Sequence, residues 1–295
     1  MKRICVTIAY DGTDFHGFHE QALSGVRTVE GDLNRALSEL TKEEIRCIGA
    51  SRTDSGVHAR GNVAVFDTAS SIPAERFPLA AIPHLPPDIR LTGAREVPSD
   101  WHPRKVPCVK TYEYVYYCGK IEDPLGRRYA SFSRFRPDPE KMREAAAHLV
   151  GEHDFTSFAN PSSQVLMEGG SAVRTITAIE IESSLPGRSE RIMLQASAGS
   201  SRGMEPDSGT VSKMHAEADN ENTAVSCVGT TVTIRVTGTG FLYNMVRIIA
   251  GTLMRVGTGA WEPERVREAL EARDRTSAGP TAEARGLTLV GIRYL

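Results

Sequence analysis

No stretch of the 295-residue chain approaches the ~20 consecutive apolar residues that a membrane-spanning helix needs. The N-terminus, MKRICVTIAYDGTDFHGF, has two basic residues but turns polar within its first dozen positions, so it lacks the apolar core of a signal peptide. The five cysteines (Cys5, Cys47, Cys108, Cys118 and Cys227) are scattered and odd in number, and no two form a Cys-x-x-Cys pair. That argues against a disulfide framework and against a cysteine-type zinc site, and for a reducing, cytoplasmic compartment. No fixed-period repeat is visible. An excess of positive charge is missing too: the formal net charge is −2.

The total hides an uneven distribution. Residues 102–136 carry eight basic side chains, from Arg104 to Arg136, against three acidic ones (Glu113, Glu122, Asp123). Residues 203–228 carry five acidic side chains against Lys213 alone. An acidic loop can therefore mask a basic surface, although a mixed solvated surface accounts for the charges equally well. At 40% hydrophobic and 24% charged the composition is that of an ordinary globular chain, and the length suggests two domains.

The patterning predicts strands at 4–13, 62–68, 110–117 and 231–240, and a closing strand in GLTLVGIRYL. In KTYEYVYY, alternation puts Tyr112, Tyr114 and Tyr116 on one face. Helices are predicted at 28–40, with Thr28 as N-cap, and at 137–151, capped by Asp138 and stopped by Gly151. A strongly apolar helix is predicted from FLYNMVRIIAGTLMRVG, with Arg247 as its charged member, and a surface helix at 262–273. Strands and helices mix in each half without a regular βαβ array, so the expected class is α+β. The expected division is an N-terminal domain, 1–105, and a C-terminal domain, 106–295. A Ser-, Gly- and acid-rich stretch, 184–228, reads as a flexible insertion.

Asp54, in GASRTDSGVHARGNVAVF, draws attention because a second Asp-Ser-Gly occurs at Asp207-Ser208-Gly209. Paired carboxylates would suit an aspartic protease, which needs two aspartates at the ends of apolar strands, close enough to share a proton. Asp54 follows polar residues and Arg52, and Asp207 lies in the insertion, so neither has the apolar lead-in. Ser51, Ser55 and His58 do not make a triad by proximity in sequence. His148, His153 and Asp154 resemble metal ligands only loosely, and their spacing fits no helical pair. What remains is a lone aspartate beside an arginine, where a guanidinium would hold a buried carboxylate ionised. Such a group suits nucleophilic or electrostatic work at an anomeric carbon or an electron-poor ring.

The segment SRTDSGVHA (51–59) closely resembles the R-T-D-A-G-V-H-A signature of the tRNA pseudouridine synthase A family. AYDGTDFHGFHEQ (9–21) is similar to the family's opening motif. TVEGDLNRAL, LPPDIRL, WHPRKVPCVKTYEY, GEHDFTSF, VRTI, GTGFLYNMVRIIAGTLMRVG and RGLTLVGIRY follow in family order. The resemblance covers nearly the whole chain except the insertion. It implies two similar ferredoxin- or RRM-like α+β domains around a basic cleft, usually as a homodimer. It also implies isomerisation of uridine to pseudouridine at positions 38, 39 and 40 of the tRNA anticodon stem-loop, without a cofactor or metal.

By the same resemblance Asp54 is the nucleophile, attacking ribose or base or triggering elimination. Arg52 supports the flipped-out nucleotide, and Tyr112 is the active-site tyrosine. Arg247 contacts the catalytic carboxylate, which would also satisfy an arginine set among apolar residues. His58, within the signature, joins the substrate-binding set. The sequence departs from the family pattern at Ser51, Ser55, His19 and Glu283, and in a long stretch before VRTI. A non-catalytic RNA-binding module of the same fold is the first alternative, and an aspartic protease using Asp54 and Asp207 the second.

Overall fold

The computed structural model of the protein describes residues 1–20, 25–184 and 229–295. Within them a mixed sheet runs through the molecule. Its strands are β1 (Lys2–Tyr10), β2 (Ile48–Gly49), β3 (His58–Thr68), β4 (Ile89–Val97), β5 (Cys108–Cys118), β6 (Ser131–Ser133), β7 (Gly151–Asp154), β8 (Val173–Ser184), β9 (Thr230–Gly238) and β10 (Leu287–Tyr294). The spatial order is β4-β1-β3-β10-β5-β9-β8-β7, with β2 on β3 and β6 on β5. The closing strand therefore sits in the middle of the sheet. It runs parallel to β3, with Thr288 opposite His58, and antiparallel to β5, with Leu289 opposite Tyr112.

Alternation explains the strands. In β9 every second residue from Thr230 to Gly238 is buried, including Val232, Ile234 and Val236. In β5, Tyr112, Tyr114 and Tyr116 are buried on one face, as the pattern predicts. Glu113 on the other face is also buried and meets Arg235 of β9 at 3.0 Å. One apolar cluster joins β1, the helix Val29–Thr41, the β5 tyrosines and the helix Met245–Gly257. No helix among the described residues is long and apolar enough to cross a membrane.

The helix Val29–Thr41 starts as expected, the Gly31 N–H donating to the Thr28 hydroxyl at 3.2 Å. The helix predicted at 137–151 begins on its Asp138 cap but ends at Ala147. Gly151 does not stop it; with φ +120° it opens β7 instead. The helix predicted from Phe241 begins only at Met245, because Asn244 at its N-cap has φ 62°. That start places Arg247 in the first turn. The insertion 184–228 lies outside the described residues except for Ser184, and with it Asp207.

Candidate active site

The loop between β2 and β3 carries Ser51 to Val57, with a turn at Ser55–Gly56, and over residues 51–53 its side chains alternate in burial. Ser51 and Thr53 are buried, Arg52 is exposed, and Asp54 is partly covered. The motif YDGTDFHGF braces this run from behind. Phe18 N–H donates to the Thr53 carbonyl at 3.1 Å, and Gly56 N–H donates to the Phe15 carbonyl at 3.2 Å. The Tyr10 and Thr53 hydroxyls are bonded at 2.8 Å, and the fully buried Asn62 donates to Tyr10 Oη (3.2 Å) and to the Ser51 carbonyl (3.0 Å).

The bracing requires glycine at position 12, where a Cβ would fall 2.0 Å from the Val57 carbonyl oxygen. Neither backbone can yield cheaply, so Gly12→Ala is expected to destabilise the protein by about 3 kcal/mol. Urea unfolding of the two proteins checks this, and an unchanged midpoint would contradict it.

The loop edges a cavity of about 560 Å³. Arg52, Arg104 and Lys110 line it, and Asp54 is the carboxylate among its described lining residues. Phe241, Leu242 and Tyr243 supply an apolar wall. Lys110 donates to the Ala50 carbonyl at 3.0 Å, and burial lowers its ammonium pKa below the ordinary lysine value. Arg247 comes from the first turn of Met245–Gly257. Its Nη1 lies 3.5 Å from Asp54 Oδ2, and the two side chains are only 17% and 20% exposed. The same nitrogen donates to Asn244 Oδ1 at 2.9 Å, and Nε donates to the Ala282 carbonyl at 2.7 Å.

The cation that opposes burial at Asp54 is Arg247. Burial raises the Asp54 pKa above the usual aspartate value, and the charge and hydrogen bond of Arg247 pull it down only in part. A 3.5 Å contact is long for a charge-assisted hydrogen bond, and the guanidinium is shared with Asn244 and Ala282. Arg52 is not the carboxylate's partner. Its Nη1 donates to Gln164 Oε1 at 3.0 Å across the cavity.

Tyr112 projects from β5 into the cavity wall. Its hydroxyl is bonded to the Ser51 hydroxyl at 2.8 Å, and its ring meets Phe241 edge-on, 5.2 Å between centroids. Burial first, and then the nearby Asp54 charge, push its phenol up to about 12, only partly countered by the Ser51 hydrogen bond. The phenol is therefore protonated at neutral pH.

The structure brings Asp54, Arg52, Tyr112 and Arg247 together and leaves His58 outside. His58 is buried, and it lines a separate concavity with Asp11 and Tyr129. Gly12 N–H donates to its Nδ1 at 3.0 Å, and Nε2 faces the carbonyls of Arg128 (2.9 Å) and Arg285 (3.2 Å). The ring ties three distant segments to β3. Ser55 likewise donates to the Phe15 carbonyl at 3.2 Å rather than meeting His58. His153 bonds the Val150 carbonyl and His148 approaches Glu264 at 3.7 Å. Among the described residues no group of three or more His, Cys, Asp or Glu could hold a metal ion.

A family model for tRNA pseudouridine synthase matches residues 6–104 and 145–295 of the chain. The chain belongs to the tRNA pseudouridine synthase family. It is 37% identical over 294 residues to tRNA pseudouridine synthase A of Brevibacillus brevis, covering 100% of both chains. It is 38% identical to the synthases A of Bacillus pumilus and Bacillus subtilis, covering 99% of each. Membership in the synthase family makes the protein an isomerase acting on tRNA uridine. It also replaces the aspartic-protease alternative.

For a synthase site, the sequence reading missed several cavity residues. Lys110 was accessible to it, since alternation in β5 puts 110 on the face of 112. Phe241 and Asn244 stood beside Arg247, in a segment read as helix. Gln164 gave no signal, because it reaches Arg52 only through the fold.

Proposed function

We propose that the protein converts uridines 38, 39 and 40 of the tRNA anticodon stem-loop to pseudouridine, with Asp54 as nucleophile. The observation that carries this reading is the lone carboxylate. Asp54 faces a cavity large enough for a nucleotide, backed by Arg247 at 3.5 Å and flanked by Tyr112. Its other charged lining residues are cations, which suits a phosphodiester substrate.

The uridine must leave its stack to reach Asp54. The N1–C1′ bond then breaks, the uracil turns, and a C5–C1′ bond forms. C5 gives up its proton and N1 gains one, so the reaction is an isomerisation with no net change in atoms. The carboxylate acts in its ionised form, with Arg247 lowering the cost of that charge. The Tyr112 ring offers an apolar face to the base, and its protonated hydroxyl a hydrogen-bond partner. Arg52, exposed at the cavity and held by Gln164, is the group available to enter the gap left by the extruded nucleotide.

The chain acts as two α+β halves, 1–105 and 106–295, about this cleft, as a homodimer in the cytoplasm. His58 serves substrate binding only indirectly, by holding the start of β3.

Incubating unmodified tRNA transcripts with the protein and mapping pseudouridine tests the reading. Modification at positions 38–40 is expected. Binding without modification would favour the non-catalytic RNA-binding module, and modification confined to other positions would overturn the assignment to the anticodon stem-loop.

A further inference from the structure

Ser51 is buried, and its backbone is fixed from both sides. Asn62 donates to its carbonyl at 3.0 Å, the neighbouring Ala50 N–H donates to the Val63 carbonyl at 2.8 Å, and Lys110 donates to the Ala50 carbonyl at 3.0 Å. The Ser51 hydroxyl is thus presented at one place, 2.8 Å from the Tyr112 hydroxyl. Among the described residues, no other hydrogen bond to the Tyr112 hydroxyl is given by the structure.

Two hydroxyls that share one hydrogen bond use one of their two protons and one of their four lone pairs. One proton and three lone pairs remain for a guest in the cavity. A phenol with no protein partner could swing its O–H through the ring plane in either direction. One anchored by Ser51 keeps its remaining capacity aimed at a set point beside Asp54. The edge contact with Phe241 fixes the ring, and Ser51 fixes the hydroxyl.

We propose that Ser51 is a positioning residue that acts through the Tyr112 hydroxyl, orienting it toward the base bound against Asp54. This rests on the reading of Tyr112 as a substrate contact. It assigns a role to the residue immediately before Arg52, at one of the positions where this chain departs from the family pattern.

A double-mutant cycle tests it, using single-turnover rates on tRNA transcript and tRNA affinity by filter binding. Ser51→Ala is expected to slow pseudouridine formation roughly tenfold, the scale of one lost hydrogen bond, with affinity unchanged. Tyr112→Phe should lose at least as much. The double variant should be no slower than Tyr112→Phe alone, and Ser51→Thr should recover most of the rate. Wild-type rates in Ser51→Ala would overturn the proposal, as would losses that multiply in the double variant.

If Ser51→Ala misfolds by circular dichroism, Ser51→Gly enters the same cycle with the same expectations. A second readout does not need turnover. With 3-fluorotyrosine incorporated and the position-112 signal assigned by its loss in Tyr112→Phe, the ¹⁹F resonance should move in Ser51→Ala. An unmoved resonance would overturn the proposal. A wild-type protein that made no pseudouridine would instead sink the functional reading itself, so the two failures are separable.

Discussion

Asp54→Asn is expected to abolish pseudouridine formation, slowing it on the order of 10⁴-fold or more, while tRNA still binds. Asparagine keeps the shape of the side chain and removes both the charge and the nucleophilic oxygen. The loss will not come from unfolding, and the sign of the pKa shift says why. Burial raises the Asp54 pKa in the folded state above the ordinary 3.8. Between those two values the folded state binds the extra proton, so stability falls as pH rises through that window. Above it the ionised carboxylate is a net cost to the fold. Asp54→Asn removes that cost, so its thermal midpoint at neutral pH should equal or exceed the wild type's. The advantage should vanish below pH 3.8, where the wild-type carboxyl is also neutral. Thermal melts at the two pH values, beside the rate assay, check both halves. A lower neutral-pH midpoint would mean that the Arg247 contact outweighs burial after all.

Arg247→Gln is expected to carry the second-largest loss, on the order of 10²-fold in rate. Arg247 is the group that lowers the Asp54 pKa, both by its charge and by its hydrogen bond. Without it burial acts unopposed, and the Asp54 pKa rises further. The acid side of the pH–rate profile must then move to higher pH. Arg247→Lys separates charge from shape. It keeps the cation but loses the fork that reaches Asn244 and Ala282 together, so its profile should lie between the other two. A Gln variant whose acid limb stays in place would show that Asp54 does not depend on Arg247.

The parts of the fold legible in the sequence are those whose physics is local. Thr28 and Asp138 cap helices because a short polar side chain reaches the free N–H groups of the first turn, whatever the surroundings. Tyr112, Tyr114 and Tyr116 fall on one buried face of β5 because the strand period is two. The position of β10 is different. Leu287 to Tyr294 reads as a closing strand, but no local pattern places it between β3 and β5. That order depends on residues separated by well over a hundred positions meeting in the core.

The site divides along the same line. Asp54 and Tyr112 were legible through their motifs, and Arg247 because a charge amid apolar residues demands a partner. His58 joined the substrate-binding set through its place in the signature, and its position in the fold could not be read there. The turn at Gly56, with φ +76°, intervenes, and β3 begins at His58, which lines a different concavity. Ser51 and Gln164 were illegible as site residues, since their partners Tyr112 and Arg52 lie 61 and 112 positions away. The balance at Asp54 was also beyond the sequence. Whether burial or the cation prevails depends on a 3.5 Å separation and on which other groups share the guanidinium.

In the function proposed for this protein one carboxylate, with a pKa raised by burial and restrained by a cation, performs the isomerisation. The single-turnover rate of pseudouridine formation as a function of pH, in wild type and Arg247→Gln, tests it most directly. The wild type should show one acid limb, with its midpoint above 3.8, and this limb should move to higher pH in the variant. Two acid limbs, as from carboxyls sharing a proton, or a limb at the same pH in both proteins, would contradict it.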